Sequence, residues 1–133
     1  MPDRIDDEME RLSPPECYRL LASRRLGRIG LVVEGHPEIF PVNYALLDEL
    51  IVFRTAPGTK LEHSFMESAV FEVDDVEEDG AWSVVVKGIV QELAPGSALL
   101  ARAQRELELR PDAPGERSHW LAVHPIEVTG RRF

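Results

Sequence analysis

At the centre of the chain, residues 50–62 read Leu50-Ile51-Val52-Phe53-Arg54-Thr55-Ala56-Pro57-Gly58-Thr59-Lys60-Leu61-Glu62. The run from Leu50 to Thr55 is apolar except at its end and predicts a β-strand. Pro57-Gly58 predicts a turn, because proline presets φ and glycine tolerates a positive φ. Thr59 and Glu62 have the spacing of a capping box, which predicts a short helix from Thr59 to about Glu67.

A strand, a turn and a helix start in this order form a natural anion pocket. The first turn of a helix leaves backbone N–H groups unpaired and carries the positive end of the dipole. The polar side chains that converge there are Arg54, Thr55, Thr59 and Lys60. We interpret the anion as a phosphate. The alternative is that the capping box only marks the start of the helix and binds no anion. Such strand–turn–helix junctions are common, and the spacing of a P-loop is missing.

The composition predicts one soluble globular domain over residues 1–133, with residues 1–11 as a mobile tail. A net charge of −9 argues against nucleic acid as a partner. The acidic run at residues 74–79 predicts a solvated loop. A lone cysteine, Cys17, predicts a reducing cytoplasm. Because the chain starts with acidic residues, no signal peptide is expected. Because it contains no long apolar run, no membrane span is expected.

Two helices are predicted outside the central segment, and about six strands are predicted in the whole chain. Ser13-Pro14-Pro15-Glu16 predicts a helix to about Ser23 that buries Cys17, Leu20 and Leu21. Pro95-Gly96-Ser97 predicts a second helix to about Leu109, with an inner stripe of Leu99, Ala103 and Leu107. The predicted strands cover residues 29–33, 38–47, 50–55, 69–74, 82–90 and 120–128.

The short links between these strands predict an antiparallel sheet that closes into a small, mainly β barrel with peripheral helices. Pro41 inside its strand predicts an edge or a bulge. A hairpin at Asp48-Glu49 places Asn43 and Tyr44 near the Arg54 end of the pocket. His119 and His124 are predicted to face opposite ways, so no metal site is expected. No Gly-x-Gly-x-x-Gly motif for a Rossmann site occurs.

Several runs together resemble one family. They are Gly27-Arg28-Ile29-Gly30, Pro41-Val42-Asn43-Tyr44, Phe53-Arg54-Thr55-x2-Gly58-Thr59-Lys60, Phe71-Glu72-Val73-Asp74 and Trp82-Ser83-Val84-x3-Gly88. Over roughly residues 12–130 the chain resembles the flavin-nucleotide-binding proteins of the pyridoxamine 5′-phosphate oxidase-like superfamily. The resemblance implies a split β-barrel that works as a homodimer, with two FMN sites at the subunit interface.

The resemblance also implies roles for individual residues. Arg54, Thr55, Thr59 and Lys60 would hold the phosphate. The strand with Pro41, Val42 and Asn43 would lie along the isoalloxazine, and Asn43 would supply a polar contact. Ser83 would reach the polar edge of the ring. Trp82 or Trp120 would cover the ring from the partner chain, although the strand alternation of Trp82 fits a core position equally well.

The activity that the resemblance implies is a flavin-dependent reduction or oxidation of a small molecule in the cytoplasm. Vitamin B6 oxidation is not expected, because the longer C-terminal segment of true pyridoxamine phosphate oxidases has no counterpart, and Arg131 and Arg132 are the only late basic residues. Two alternatives stay open. One is a deazaflavin cofactor on the same barrel, and the other is a non-catalytic flavin carrier or sensor.

Overall fold

The computed structural model describes residues 10–55, 64, 66–107 and 119–133. In chain order these residues form β1 (Glu10–Arg11), α1 (Pro14–Ala22), β2 (Leu26–Val33), β3 (His36–Leu47), β4 (Leu50–Thr55), β5 (Ser68–Glu77), β6 (Gly80–Glu92), α2 (Ala98–Leu107) and β7 (His119–Arg132). Neither of the helices in these ranges is long and apolar enough to cross a membrane.

The strands form one antiparallel sheet that closes on itself. Its order is β1-β7-β4-β3-β2-β5-β6, and β6 also pairs with β7. The long strand β7 makes the closure possible, because residues 119–123 pair with β4 and residues 121–132 pair with β6. A closed ring hides the strand edges that an open sheet would expose. The predicted mainly β, barrel-like fold is therefore confirmed.

Alternation along each strand fills the barrel with apolar side chains. The largest fully buried residues are Trp82, Tyr44, Phe53 and Phe71. The rings of Tyr44 and Phe71 meet edge to face, with centroids 4.8 Å apart. The predicted alternation from Trp82 to Val90 is confirmed, since Trp82, Val84 and Val86 all point inward.

Helix α1 begins and packs as its sequence predicts. Ser13 is the N-cap, and its hydroxyl oxygen accepts the N–H of Glu16 at 3.3 Å. The face with Cys17, Leu20 and Leu21 is buried. Leu21 also joins the helix to the barrel, because its carbonyl accepts the hydroxyl of Tyr44 at 2.5 Å.

Helix α2 covers the outside of the barrel with the predicted inner stripe. Ala103 is fully buried there, and Leu99 and Leu107 pack against the same cluster. The barrel supplies Val52 from β4 and Ala122 from β7 to this second, outer cluster. The predicted continuation of the helix to Leu109 lies outside the described residues.

The acidic run at residues 74–79 was predicted as a loop, and this was wrong. Strand β5 continues to Glu77 and pairs with β6 up to the Glu77–Gly80 pair. Nearby arginines compensate the acidic charges. Asp75 accepts the Nε–H of Arg24 at 2.9 Å, and Glu77 lies 3.7 Å from Arg132. Those arginines come from other strands and connections, so the local sequence could not show them.

Two described segments near the chain ends form strands that were not predicted. Glu10 and Arg11 fall in the predicted tail, but they pair with Arg132 and Arg131 as strand β1. Strand β7 runs past Pro125 to Arg132. It does so because the β6–β7 register shifts between Lys87 and Gly88, and this bulge absorbs the interruption.

The helix predicted from Thr59 to Glu67 lies mostly outside the described residues. At its predicted end, Ser64, Met66 and Glu67 are not helical. Met66 has a positive φ of 71°, and its N–H donates to the carbonyl of Val90 at 2.7 Å. This part of the prediction was wrong, because a hydrogen bond to β6 fixes the backbone in a turn.

Candidate functional site

Strand β3 changes partner between Asn43 and Tyr44. Residues 36–43 pair with β2, whereas residues 44–47 pair with β4. The last registered pair between β3 and β4 is Tyr44 with Phe53. Within the described residues, the first part of β3 therefore has a strand on one side only. We call its other side the open edge, and the C-terminal end of β4 lies beside it.

The position of Pro41 follows from this open edge. The N–H of Tyr44 points to the β2 side, where it donates to the carbonyl of Arg25, the residue before β2, at 2.9 Å. N–H directions alternate along a strand, so the nitrogen of Pro41 points away from β2. Proline is tolerated there because, in the part of the chain that the structure describes, no strand pairs with this side of β3. The predicted edge position is confirmed, and the same alternation directs the N–H of Asn43 to the open edge.

Three of the predicted site residues form a row on the outer surface of adjacent strands. Asn43 and Arg54 each lie one residue beyond the Tyr44–Phe53 pair, whose side chains are buried. Both side chains therefore point outward. Arg54 is registered opposite Trp120 on β7, and its Cζ lies 5.5 Å from the centroid of the indole ring. The row thus combines an amide, a guanidinium and an aromatic ring.

Thr55 and Val42, by contrast, are buried. Thr55 is only 4% exposed, and its hydroxyl donates to the carbonyl of His119 at 3.5 Å. Val42 points into the barrel. These residues can support the site through the backbone that they hold in place. Thr59 and Lys60 lie outside the described residues, so their phosphate contacts stay predictions.

The two remaining candidates, Trp82 and Ser83, lie elsewhere on the barrel. Trp82 is fully buried, its Nε1–H donates to Glu77 at 3.3 Å, and Arg24 lies 5.2 Å from the ring centroid. Of the two alternatives for Trp82, the structure thus supports the core position, and no ring surface is left to cover a flavin. Ser83 is half-buried on the outer surface of β6, opposite Asp74 and Arg131.

Ser83 and Asn43 are too far apart to touch the same ring edge within one chain. From β3 to β6 the sheet order passes through β2 and β5. Neighbouring strands lie about 4.8 Å apart, so the separation along the surface is roughly 14 Å. In a closed ring of this size the two side chains leave nearly opposite sides. One chain therefore brings Asn43, Arg54 and Trp120 together, but it does not bring Ser83 to them.

Charged side chains from β2, β5 and the connection before β2 surround a groove that lies across β3 from the open edge. This groove of about 410 Å³ beside Pro41 is lined by Arg24, Arg25, Leu26, Gly27, Arg28, Asp74 and Asp75. That volume is within the usual range of ligand sites, about 300–1,000 Å³. In its wall Arg28 forms an ion pair with Glu72 at 3.2 Å. Register between separate strands creates this pair, so no local pattern could reveal it.

The carboxyl of Glu72 titrates near neutrality. Burial is the main cause that raises its pKa to about 7, and the hydrogen bond and charge of Asp74 act in the same direction. Arg28 lowers the pKa but is outweighed. Titratable groups perturbed in this way cluster at functional sites, so Glu72 joins the candidate residues. No group of three or more metal-ligating side chains occurs within the described ranges.

Comparison with known proteins identifies the family. Residues 13–132 match the pyridoxamine 5′-phosphate oxidase family, and the chain belongs to it. The FAD binding protein from Mycobacterium smegmatis is 41% identical, with a TM-score of 0.80 over 93% of this chain and 99% of that one. An FAD-binding protein from Mesorhizobium loti is 27% identical, with a TM-score of 0.79 over 94% and 98%.

A relative found by sequence comparison is also similar over nearly the whole chain. An uncharacterized protein of Mycobacterium tuberculosis is 32% identical over 134 residues, which is 95% of this chain and 86% of the relative. The resemblance that the sequence motifs indicated is therefore confirmed at the level of the family and of its flavin-binding structural neighbours.

Proposed function

We propose that this protein binds a flavin nucleotide along the open edge of β3, with the flavin phosphate at Arg54. The observation that supports this most strongly is the outer row of Asn43, Arg54 and Trp120 beside the open edge. A guanidinium suits a phosphate because its planar fork donates two parallel hydrogen bonds. The alternation that turns the nitrogen of Pro41 away from β2 also directs the N–H groups of Ile39 and Asn43 to the open edge, where they would donate to the polar side of a ring. The residues present thus fit the group.

The identity of the nucleotide is a second part of the proposal. The motifs imply FMN, whereas the similar proteins from Mycobacterium smegmatis and Mesorhizobium loti bind FAD. FAD contains the same flavin mononucleotide half, so both cofactors suit the Arg54 site. A deazaflavin is the third candidate. Chromatography of the cofactor released by heat, followed by titration of the emptied protein with FMN, FAD and a deazaflavin, distinguishes the three.

The phosphate contact can be tested by substitution. A hydrogen bond to a charged group is worth about 1.5–3 kcal/mol, so Arg54→Ala should weaken FMN binding by about one to two decades. Lys60→Ala is expected to cost a similar amount. Arg105→Ala is the matched control, because Arg105 is an exposed arginine in the last turn of α2. Equal FMN affinities for wild type, Arg54→Ala and the control would remove Arg54 from the site.

We also propose that the protein is a homodimer with a flavin site at the subunit interface. The outer surface of β3, β2 and β5 exposes Val32 (57%), Ile39 (66%) and Val70 (40%) around Gly30. We call this the apolar face, and it adjoins Pro41. Clustered apolar surface of this kind usually marks an interaction site. A second copy seated on it could bring the partner subunit's Ser83 towards Asn43, which one chain cannot do.

The dimer proposal predicts a specific loss of association. Ile39→Lys should shift the protein to monomer in sedimentation velocity, and it should weaken flavin binding in the same preparation. Ile126→Lys is the matched control, since Ile126 is 71% exposed at the β7 bulge and lies outside the apolar face. A wild-type protein that sediments as a monomer with flavin bound would contradict the proposal.

The reaction that we favour is a flavin-dependent oxidation or reduction of a small molecule in the cytoplasm. A bound flavin would supply the redox chemistry, and the protein would bind and orient the flavin. The alternatives are a deazaflavin-dependent reductase and a non-catalytic carrier or sensor. With flavin loaded, oxidation of reduced nicotinamides faster than by the same concentration of unbound flavin supports the oxidoreductase. Turnover no faster than that of unbound flavin supports the carrier.

A further inference from the structure

We propose that Trp120 is a positioning residue for the flavin phosphate, because its indole holds the guanidinium of Arg54 at the anion site. This inference rests on the proposed function and assigns Trp120 a role other than covering the flavin ring. It starts from the contact between the two side chains, which the sequence places far apart and the barrel brings together.

The geometry of the contact is that of a cation–π pair. Arg54 and Trp120 are registered opposite each other on β4 and β7, and both side chains leave the outer surface. The guanidinium carbon lies 5.5 Å from the ring centroid. Cations within about 6 Å of a ring centroid are attracted, and tryptophan gives the strongest interaction of the aromatic side chains. The ring therefore stabilises one location of the charge.

The indole is itself held in place. Trp120 is half-buried and packs against the outer cluster, which includes Leu93 just after β6 and Ala103 of α2. Its carbonyl accepts the N–H of Leu93 at 3.0 Å, which fixes the backbone at the same point. A fixed platform matters because a long arginine side chain otherwise loses much rotamer freedom when it binds a ligand.

This arrangement makes a prediction that differs from the ring-covering role. If Trp120 acts through Arg54, its loss should weaken only ligands that carry the phosphate. If Trp120 covers the isoalloxazine, its loss should weaken FMN and riboflavin alike, because both contain the ring. The two probes differ only in the phosphate, so their ratio of affinities separates the two roles.

The first experiment measures dissociation constants of FMN and riboflavin for wild type, Trp120→Leu and Trp120→Phe. Trp120→Leu should raise the FMN constant by about 3- to 10-fold and leave the riboflavin constant within about 2-fold. Trp120→Phe retains an aromatic face and should recover most of the FMN affinity. An equal loss for both ligands would overturn the inference, as would FMN affinity unchanged in Trp120→Leu.

A double-mutant cycle tests the dependence on Arg54 without riboflavin. In an Arg54→Ala background, Trp120→Leu should no longer change FMN affinity, because the residue through which Trp120 acts is gone. The same fold-change in both backgrounds would overturn the inference, although FMN binding and the proposed function would stand. Failure of the wild-type protein to bind FMN, FAD or a deazaflavin would overturn both. Matching circular dichroism melts exclude a folding defect.

Discussion

The carboxyl of Glu72 should make the stability of this protein fall as pH rises from acid to neutral. Glu72 lies on β5 between Arg28 of β2 and Val85 of β6. Burial raises its pKa from 4.5 to about 7, with Asp74 adding to the effect and Arg28 opposing it. Most paired carboxylates behave in the opposite way, since their folded-state pKa is depressed.

The sign and size follow from proton linkage. Between about pH 4.5 and pH 7 the folded protein keeps a proton on Glu72 that the unfolded chain has lost. The free energy of unfolding therefore falls as pH rises across this window. Above about pH 7, Glu72 no longer makes stability depend on pH. At 1.36 kcal/mol per pKa unit, the change is at most about 3 kcal/mol. The side chain of Glu72 is 27% exposed, so solvent screening is limited.

The assay is urea denaturation of wild type, Glu72→Gln and the control Glu106→Gln at intervals from pH 5 to pH 8. Glu106 is exposed on α2, so its substitution should leave the pH profile unchanged. Glutamine cannot ionise, and Glu72→Gln should gain about 1–3 kcal/mol over wild type between pH 5 and pH 8. A constant difference between Glu72→Gln and wild type across that range would refute the reasoning.

Two further predictions concern the scaffold that positions the site. Tyr44→Phe should lower the free energy of unfolding by about 1–3 kcal/mol, because it removes the buried hydrogen bond from the Tyr44 hydroxyl to the carbonyl of Leu21. A free energy of unfolding within about 0.5 kcal/mol of wild type would argue against that bond. Gly88→Ala should cost at least ~2 kcal/mol, since its Cβ would collide with the backbone carbonyl of His124. Gly30→Ala is its control, because the nearest atoms would lie 3.7 and 3.9 Å away, and equal melts for the two variants would contradict the prediction.

Much of the fold could be predicted because local patterns determine it. The alternation of the strand after Trp82 and the cap at Ser13 are confirmed in the structure. The register between distant strands could not be predicted, because no local pattern encodes it. The β6–β7 closure, which places Arg131 opposite Ser83 and Arg132 opposite Trp82, is of this kind.

In the candidate site, too, local patterns could be predicted and contacts between distant strands could not. Arg54 stands out in the sequence because it precedes a turn and a capping box. Its contact with Trp120 depends on the pairing of β4 with β7. The ion pair of Arg28 with Glu72 likewise depends on the pairing of β2 with β5. The sequence therefore singles out Arg54 but does not show its contact with Trp120.

The most direct test of the account is a crystal structure of the protein with FMN bound. The account predicts the phosphate within hydrogen-bond distance of the Arg54 guanidinium, and the isoalloxazine along the open edge of β3 beside Asn43. A phosphate bound elsewhere, with the Arg54 guanidinium directed away from it, would contradict the central claim.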